Sequence, residues 1–364
     1  MPNLTRAVSR EKTYPTQPLR IVAIGGGTGL STLLSGLKAH ARGVGGPQPK
    51  SAGLDITAVV TVTDDGGSSG RLRRDFDILA PGDIRNCMTA LSEDSDLLTQ
   101  LFRHRFASGR GLKGHSFGNL FLTAMHQITG DFAQAVKLSS EILAIRGRIF
   151  PATSANIALE AELDDGTVVR GESKISKSRR RIATIRLQPG DCSPLPETLE
   201  AIRNADVITI GPGSLYTSII PNLLVSGIPE AIQNSCALKV YFVNLMWQPG
   251  ETIRFAASQH VTAIQDHAGV KLIDCVVLNS GAIPVSLQRR YARAHVKPVE
   301  NDIETLHKMG LKVVTADLVG DASVPHKVRH NPSSLAEVVL DLANRSRAYQ
   351  LRREVLGATR TRVR

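Results

Sequence analysis

The chain is poor in the residues that several function classes require. It holds four cysteines in 364 residues, Cys87, Cys192, Cys236 and Cys275, far apart and with no CxxC pair. That spacing argues against a zinc site or a disulfide framework and fits a reducing compartment. Aromatic residues make up only 4% and never interleave with basic ones in the body of the chain, so no base-stacking platform for nucleic acid is expected. No run approaches the ~20 apolar residues that span a bilayer, so no membrane span is expected. The basic N-terminus lacks the apolar stretch of a secretory signal. There is no GxSxG elbow, no HExxH pair and no Cys/His ligand spacing. No nucleophile, base and orienting group can be assembled from sequence position, and no catalytic residue is assigned.

Charge is unevenly spread. The net charge is +11, of which residues 1–20 carry +3 and residues 345–364 carry +6, leaving +2 for the rest. The basic excess is therefore expected in a disordered leader, 1–19, and a basic tail, 345–364. Such tails are either solvated or bind anionic polymers and lipids without specificity.

What the chain has is glycine at strand ends. GGGTG, Gly25 to Gly29, follows the apolar run Ile21–Ile24. DDGGSSG, Asp64 to Gly70, follows Ile56–Thr63, and GPGS, Gly211 to Ser214, follows Val207–Ile210. Strand, glycine turn, helix is how an α/β sheet aims backbone N–H groups at an anion. Three such turns point to a nucleotide-type ligand at the carboxyl ends of parallel strands.

The remaining pattern supports that architecture. Leu30, Leu33, Leu34 and Leu37 fall at helical spacing after the first turn. Helices are expected near Asp83, over Asp94–Arg105, over His115–Ile128 and from Asp131 to about Ala144. From Arg146 to Leu187 the pattern turns β-like, with a hairpin signal at Asp164-Asp165-Gly166. Further strands are expected at Val207–Ile210, Lys239–Asn244, Asp274–Leu278 and Leu311–Thr315. The alternation predicts a doubly wound, mostly parallel α/β sheet over residues 20–344, with a small β-rich insertion at about 146–187.

GGGTGL is neither a dinucleotide fingerprint, since Leu30 stands at its last position, nor a P-loop, since the Lys-Ser/Thr ending is missing. Its glycines still allow close approach of a ligand, and Thr28 adds a hydroxyl. In the second turn Asp64 or Asp65 can accept from sugar or base hydroxyls or hold Mg²⁺. Ser68, Ser69 and Arg71 can donate to phosphate oxygens. PGDIRN places Asp83, Arg85 and Asn86 at a helix start, where Asp83 is either a ligand contact or an N-cap. GHSFGN places His115, Ser116 and Asn119 at another, where His115 is either a contact or a structural hydrogen-bonder. Ser214, Tyr216, Thr217 and Ser218 crowd the third turn, and Pro221 is expected to end its first helical stretch. Asn244, Glu251 and Asn279 follow later strands and are either turn-formers or contacts.

GGGTGLSTLLSGLK, VTDDGGSSGRLR, PGDIRNCMTAL, GHSFGNLFL and GPGSLYTSIIPNLLV, in this order, resemble the YvcK-type gluconeogenesis factor family, which is related to the CofD-type 2-phospho-L-lactate transferases. The resemblance runs from about Ile21 to Asn279 and more weakly to about Leu342. It implies a Rossmann-like, CofD-like fold, a cytoplasmic bacterial protein, and binding of a UDP-sugar, typically UDP-N-acetylglucosamine. It also links the chain to gluconeogenic growth, cell shape and peptidoglycan synthesis, with a cell-wall or regulatory protein as partner. Carried over, Gly25, Gly26, Gly27, Thr28 and Gly29 would line the nucleotide-sugar cleft. So would Asp64, Asp65, Gly66, Gly67, Ser68, Ser69 and Gly70, then Asp83, Arg85, Asn86, His115 and Asn119, and finally Gly211, Pro212, Gly213, Ser214, Tyr216, Thr217 and Ser218. Trp247 departs from relatives, which usually carry a small polar residue there.

Two functions follow. One is a UDP-sugar-binding regulator without turnover. The other is a Mg²⁺-dependent transferase of a phosphate-linked group from a nucleotide donor, with the metal on Asp64, Asp65 or Asp83. A nucleic-acid binder using the arginine tail is a third, weaker alternative. Oligomeric state stays open, a homodimer being the commonest assembly.

Overall fold

The computed structural model describes residues 17–41, 53–93, 96–320 and 327–361. Most of the expected leader lies outside them. Seven parallel strands form the central sheet: β1 (Leu19–Gly25), β2 (Leu54–Val60), β3 (Arg148–Pro151), β7 (Val207–Ile210), β8 (Leu238–Phe242), β9 (Cys275–Asn279) and β10 (Lys312–Ala316). Three more, β4 (Ala158–Leu163), β5 (Val168–Arg170) and β6 (Ile182–Gln188), make a separate antiparallel sheet.

The order across the main sheet is β3-β2-β1-β7-β8-β9-β10. The chain moves outward from β1 to one side, then returns to β7 beside β1 and moves outward to the other. Ile24 of β1 lies opposite Ile210 of β7. The strand order thus reverses between these two strands, and their carboxyl ends frame the crevice where doubly wound sheets bind ligands. Both central strands are almost wholly buried, which explains their continuous apolar sequences.

Helix Gly27–Lys38 buries Leu30, Leu33, Leu34 and Leu37, the stripe set by their spacing. It packs on helix Pro81–Leu91 and on the C-terminal helix Pro332–Thr361. A Cβ at Gly36 would overlap the Pro332 carbonyl, so the latter pair touches backbone to backbone.

Two boundaries differ from expectation. Strand β3 lies in the expected insertion but joins the parallel sheet as its edge, pairing with β2. Only β4–β6 stand apart, joined at the expected Asp164–Gly166 turn. The expected boundary at 345 falls inside helix Pro332–Thr361. Arg347 there donates to the Gln17 and Pro18 carbonyls and pairs with Asp206, so the start of the basic segment is fastened to the body. Charge density alone suggested a free tail; a run of helix formers and one buried acceptor decide otherwise. Among the described residues no helix is long and apolar enough to cross a membrane.

Candidate functional site

The first glycine turn closes β1 and opens helix Gly27–Lys38, whose first amides have no helical acceptor. The third turn closes β7 and leads into a π-helical turn, Leu215–Ile219, followed by a short helix from Ile220 that carries Pro221 in its first turn. A Cβ on Gly29 would overlap the Pro212 carbonyl, so only glycine lets the two turns meet. The Asn222 side chain locks them by donating to the Gly25 carbonyl at 3.1 Å and the Ser218 carbonyl at 2.8 Å.

A cleft of about 540 Å³ opens over this junction. Of the residues expected at the ligand, Gly26, Gly27, Thr28, Gly29, Asp83, Gly213, Ser214 and Ser218 line it. Gly25, Gly211 and Pro212 lie one step behind, in the strand end and turn that shape it. Tyr216 and Thr217 are buried, and their amide and hydroxyl donate to Glu251 at 2.9 and 3.1 Å. Glu251 lines the cleft and so anchors the π-helical turn from the cleft side.

The second turn does not reach the cleft wall. Asp64 accepts from the Gly66 amide at 2.8 Å, and Asp65 accepts from the Ser173 amide at 2.8 Å, which ties Asp65 to the β-rich insertion. Gly67 and Gly70 open the helix Gly67–Phe76, and a Cβ at Gly70 would overlap the Asp65 carbonyl. Ser68 bonds His115 Nδ1 at 3.0 Å, and Asn119 donates to Ser69 at 3.4 Å. His115 and Asn119 therefore brace this turn, and neither lines the cleft. Arg85 and Asn86 do not line it either; they bond each other at 2.7 Å. Asp83 is not an N-cap: that position is Ala80, and Asp83 instead takes the Gly27 amide.

Carboxyl groups crowd this end of the sheet. Burial, then the Asp64 charge, pushes Asp83 up to about 7, against the pull of the Gly27 amide, Arg85 and Asn86. Burial and then Asp64, Asp83, Glu251 and Asp65 hold Glu172 well above the usual carboxylate range. Burial raises Glu251 against its two donors. A site that resists extra negative charge here suits a cation, or hydroxyl groups that donate.

The opposite wall comes from residues with no motif. Lys327, Val328, Arg329 and His330 line it, with Trp247 and Tyr291 nearby. Val328 donates its amide to the Tyr291 hydroxyl at 3.2 Å. Burial drives His330 down to about 4, so it is neutral, bonded to the Val243 backbone with Nε2 unpartnered. Only the tertiary fold brings this segment, which enters the C-terminal helix, back over the cleft. Of the later candidates, Asn244 and Glu251 line the cleft, whereas Asn279 binds the amides of Gly281 and Leu318. Trp247 lies on the cleft wall and donates to the Phe255 carbonyl at 3.0 Å.

A larger cavity, about 810 Å³, lies under the amino ends of β1–β3, at the other end of the sheet. Of its lining only Gly147 is a glycine, and none of the three glycine turns reaches it, so the cleft at the strand reversal is the better candidate.

The family model described as 2-phospho-L-lactate transferase CofD matches residues 21–319. A gluconeogenesis factor of Halalkalibacterium halodurans is 48% identical over 321 residues, covering 88% of this chain and 95% of the relative. That of Bacillus subtilis is 48% identical over 329 residues, covering 90% and 98%. An X-ray crystal structure of a Bacillus halodurans protein superposes with a TM-score of 0.83 at 48% identity, covering 89% of this chain and 100% of that one. A second Bacillus halodurans structure, described as a member of the upf0052 family, gives 0.82 at 47% identity. This chain belongs to the CofD family and, within it, groups with the gluconeogenesis factors.

Proposed function

We propose that the cleft binds a UDP-sugar, UDP-N-acetylglucosamine first among them, and that the protein is a cytoplasmic regulator rather than a catalyst. The observation that carries this reading is the meeting of two glycine turns at the strand reversal, under one cleft. Beyond the Gly27 amide, which Asp83 takes, the following first-turn amides of helix Gly27–Lys38 suit the pyrophosphate. Lys327 and Arg329 on the facing wall add cations. Asp83, Glu172 and Ser176 can receive or give hydrogen bonds to sugar hydroxyls. The relatives' name, gluconeogenesis factor, supports a role in growth on gluconeogenic carbon. Sensing a cell-wall precursor would connect that growth to cell shape and peptidoglycan synthesis through a protein partner.

Calorimetric titration with UDP-N-acetylglucosamine, with and without Mg²⁺, followed by analysis of the recovered ligand, tests the proposal. Saturable binding of ligand recovered intact is the expected result. Absence of binding in both conditions would sink the UDP-sugar assignment.

The crowded carboxyls favour one second reading, a transfer of the kind named for the matched family, with Mg²⁺ held by this chain's own carboxylates. Among the described residues, no three His, Cys, Asp or Glu side chains are placed to hold a metal unaided. Asp83 supplies a hard oxygen donor on the cleft wall, with Asp64 behind it, and Mg²⁺ commonly completes its shell with phosphate oxygens and water. The residues thus fit a metal that arrives with a nucleotide. Bound there, it would neutralise charge on the pyrophosphate. Cleaved or transferred ligand in the same titration would establish this reading.

A further inference from the structure

The motif residues that the cleft leaves out are gathered elsewhere. Arg85 lies on helix Pro81–Leu91, two residues beyond Asp83. Its stem crosses Gly118, in the first turn of helix Phe117–Thr129: a Cβ there would stand 2.8 Å from Arg85 Cδ. The same Cβ would stand 2.8 Å from the Phe102 carbonyl, which brings the adjoining Arg103 backbone alongside. Arg105 pairs with Ser116 in an isolated bridge and donates to the Gly114 carbonyl at 2.7 Å. Arg71 donates to the Lys113 carbonyl at 2.9 Å. Arg71, Arg85 and Arg105, from three segments, therefore meet about one helix N-terminus, and Arg103 is near enough for its charge to act on Arg85.

None of the four is ion-paired among the described residues. The stretch 103–114, RHRFASGRGLKG, holds no aspartate or glutamate. Asp83 and Asp64 act on Arg85 from the cleft side, and Asp75 acts on His115, all without ion-pair contact. Burial first, then the neighbouring Arg105, lowers the pKa of Arg85, against the pull of Asp83 and Asp64. Such crowding persists at least cost when a bound anion relieves it.

A second observation points to a ligand. Asn119, in the same first helical turn, is 2% exposed, yet its Oδ1 has no partner. The buried Nε of Arg85 also lacks one. One donor and one acceptor are thus left unmet beside the cationic turn. A phosphate that retains a proton or adjoins a hydroxyl supplies both. The Arg71 and Arg105 guanidinium groups sit on the adjacent Lys113 and Gly114 carbonyls, and Arg85 bonds Asn86 beside them, a compact arrangement that suits a small anion rather than a nucleic-acid strand. Arginine forks are usual phosphate ligands.

We infer that Arg71, Arg85, Arg103 and Arg105, around the first turn of helix Phe117–Thr129, form a second anion subsite, distinct from the glycine-turn cleft, that takes a phosphomonoester. Asp83 stands between the two, lining the cleft on one side and neighbouring Arg85 on the other. The subsite gives the chain a way to bind a second phosphorylated metabolite alongside a nucleotide ligand, and it stands on residues the cleft does not use.

Inorganic phosphate is the probe. It is titrated calorimetrically in about 0.15 M chloride, where nonspecific attraction is largely screened, into the free protein and into protein pre-mixed with saturating UDP-N-acetylglucosamine. Arg85→Gln, Arg105→Gln and the double variant are titrated in parallel, with thermal melts as a folding control. Saturable 1:1 binding, unchanged by UDP-N-acetylglucosamine and weakened at least tenfold in the double variant, is expected. Arg105 is exposed, so Arg105→Gln alone, with a severalfold loss, carries the test if Arg85→Gln does not fold. Absent phosphate binding, equal affinity in Arg105→Gln, or one-for-one displacement by UDP-N-acetylglucosamine would each overturn the subsite. If UDP-N-acetylglucosamine itself does not bind, the cleft assignment fails while the phosphate and arginine arms still decide this one.

Discussion

The Asp83 carboxylate takes the backbone N–H of Gly27, which fastens the first turn of one helix to the opening residue of another. The glycine before it makes room for this contact. A Cβ on Gly26 would stand 2.7 Å from Asp83 Oδ2 and 2.6 Å from Thr61 Cγ2.

Gly26→Val should therefore abolish nucleotide-sugar binding. Its backbone is extended, with φ −170, so the effect comes from contact and not from strain. Overpacking of this kind costs about 1–3 kcal/mol, so the variant should remain folded with a lowered melting temperature. Titration with UDP-N-acetylglucosamine checks it, and unchanged affinity would remove the first turn from the site.

Asp83 makes stability depend on pH in a definite direction. Its folded pKa, about 7, lies above the ordinary 3.8, so the folded state holds the proton more tightly than the unfolded chain does. The contribution is full below the ordinary value and is lost as pH rises through about 7. Asp83→Asn should flatten this decline and raise stability relative to the parent at pH 8, by at most about 4 kcal/mol. Urea denaturation of both proteins from pH 5 to 8 measures it; parallel pH profiles would refute the assignment. Any Mg²⁺ affinity should fall with decreasing pH over the same range, since the metal competes with the proton.

Glu251 holds the π-helical turn through Tyr216 and Thr217. Glu251→Ala leaves the Tyr216 amide without that acceptor in the interior, a loss of about 1–3 kcal/mol. Glu251→Gln keeps a carbonyl oxygen to accept it and should cost less. The ordering of the two denaturation midpoints is the test, and equal values would mean that Glu251 does not organise the turn.

Arg347 links the C-terminal helix to the start of β1. Its guanidinium reaches the Gln17 and Pro18 carbonyls and Asp206, which also accepts the Arg20 amide at 2.8 Å. Arg347→Ala should destabilise by about 1.5–3 kcal/mol, the range for bonds to a charged group. Deleting residues 345–364 should lower the melting temperature at least as much as Arg347→Ala does. An unchanged melting temperature in Arg347→Ala would show that the anchor contributes nothing.

The sequence by itself determined the elements and their class. Buried parallel strands need apolar residues on both faces, so Ile21–Ile24 and Val207–Ile210 read as strands without further help. Glycine turns at strand ends are legible because only glycine fits where Gly29 meets the Pro212 carbonyl. The Leu30–Leu37 stripe is legible because helical spacing repeats. Five ordered motifs were enough for the family. Tertiary structure alone decided which motif residues share a wall. Local pattern does not say that β7 returns beside β1, which selects the first and third turns for the cleft and sends the second behind it. Nor does it say that Lys327–His330, which carry no motif, fold back to close the far wall. Proximity between residues 300 positions apart depends on strand order and helix packing, and neither is written in any short window of sequence.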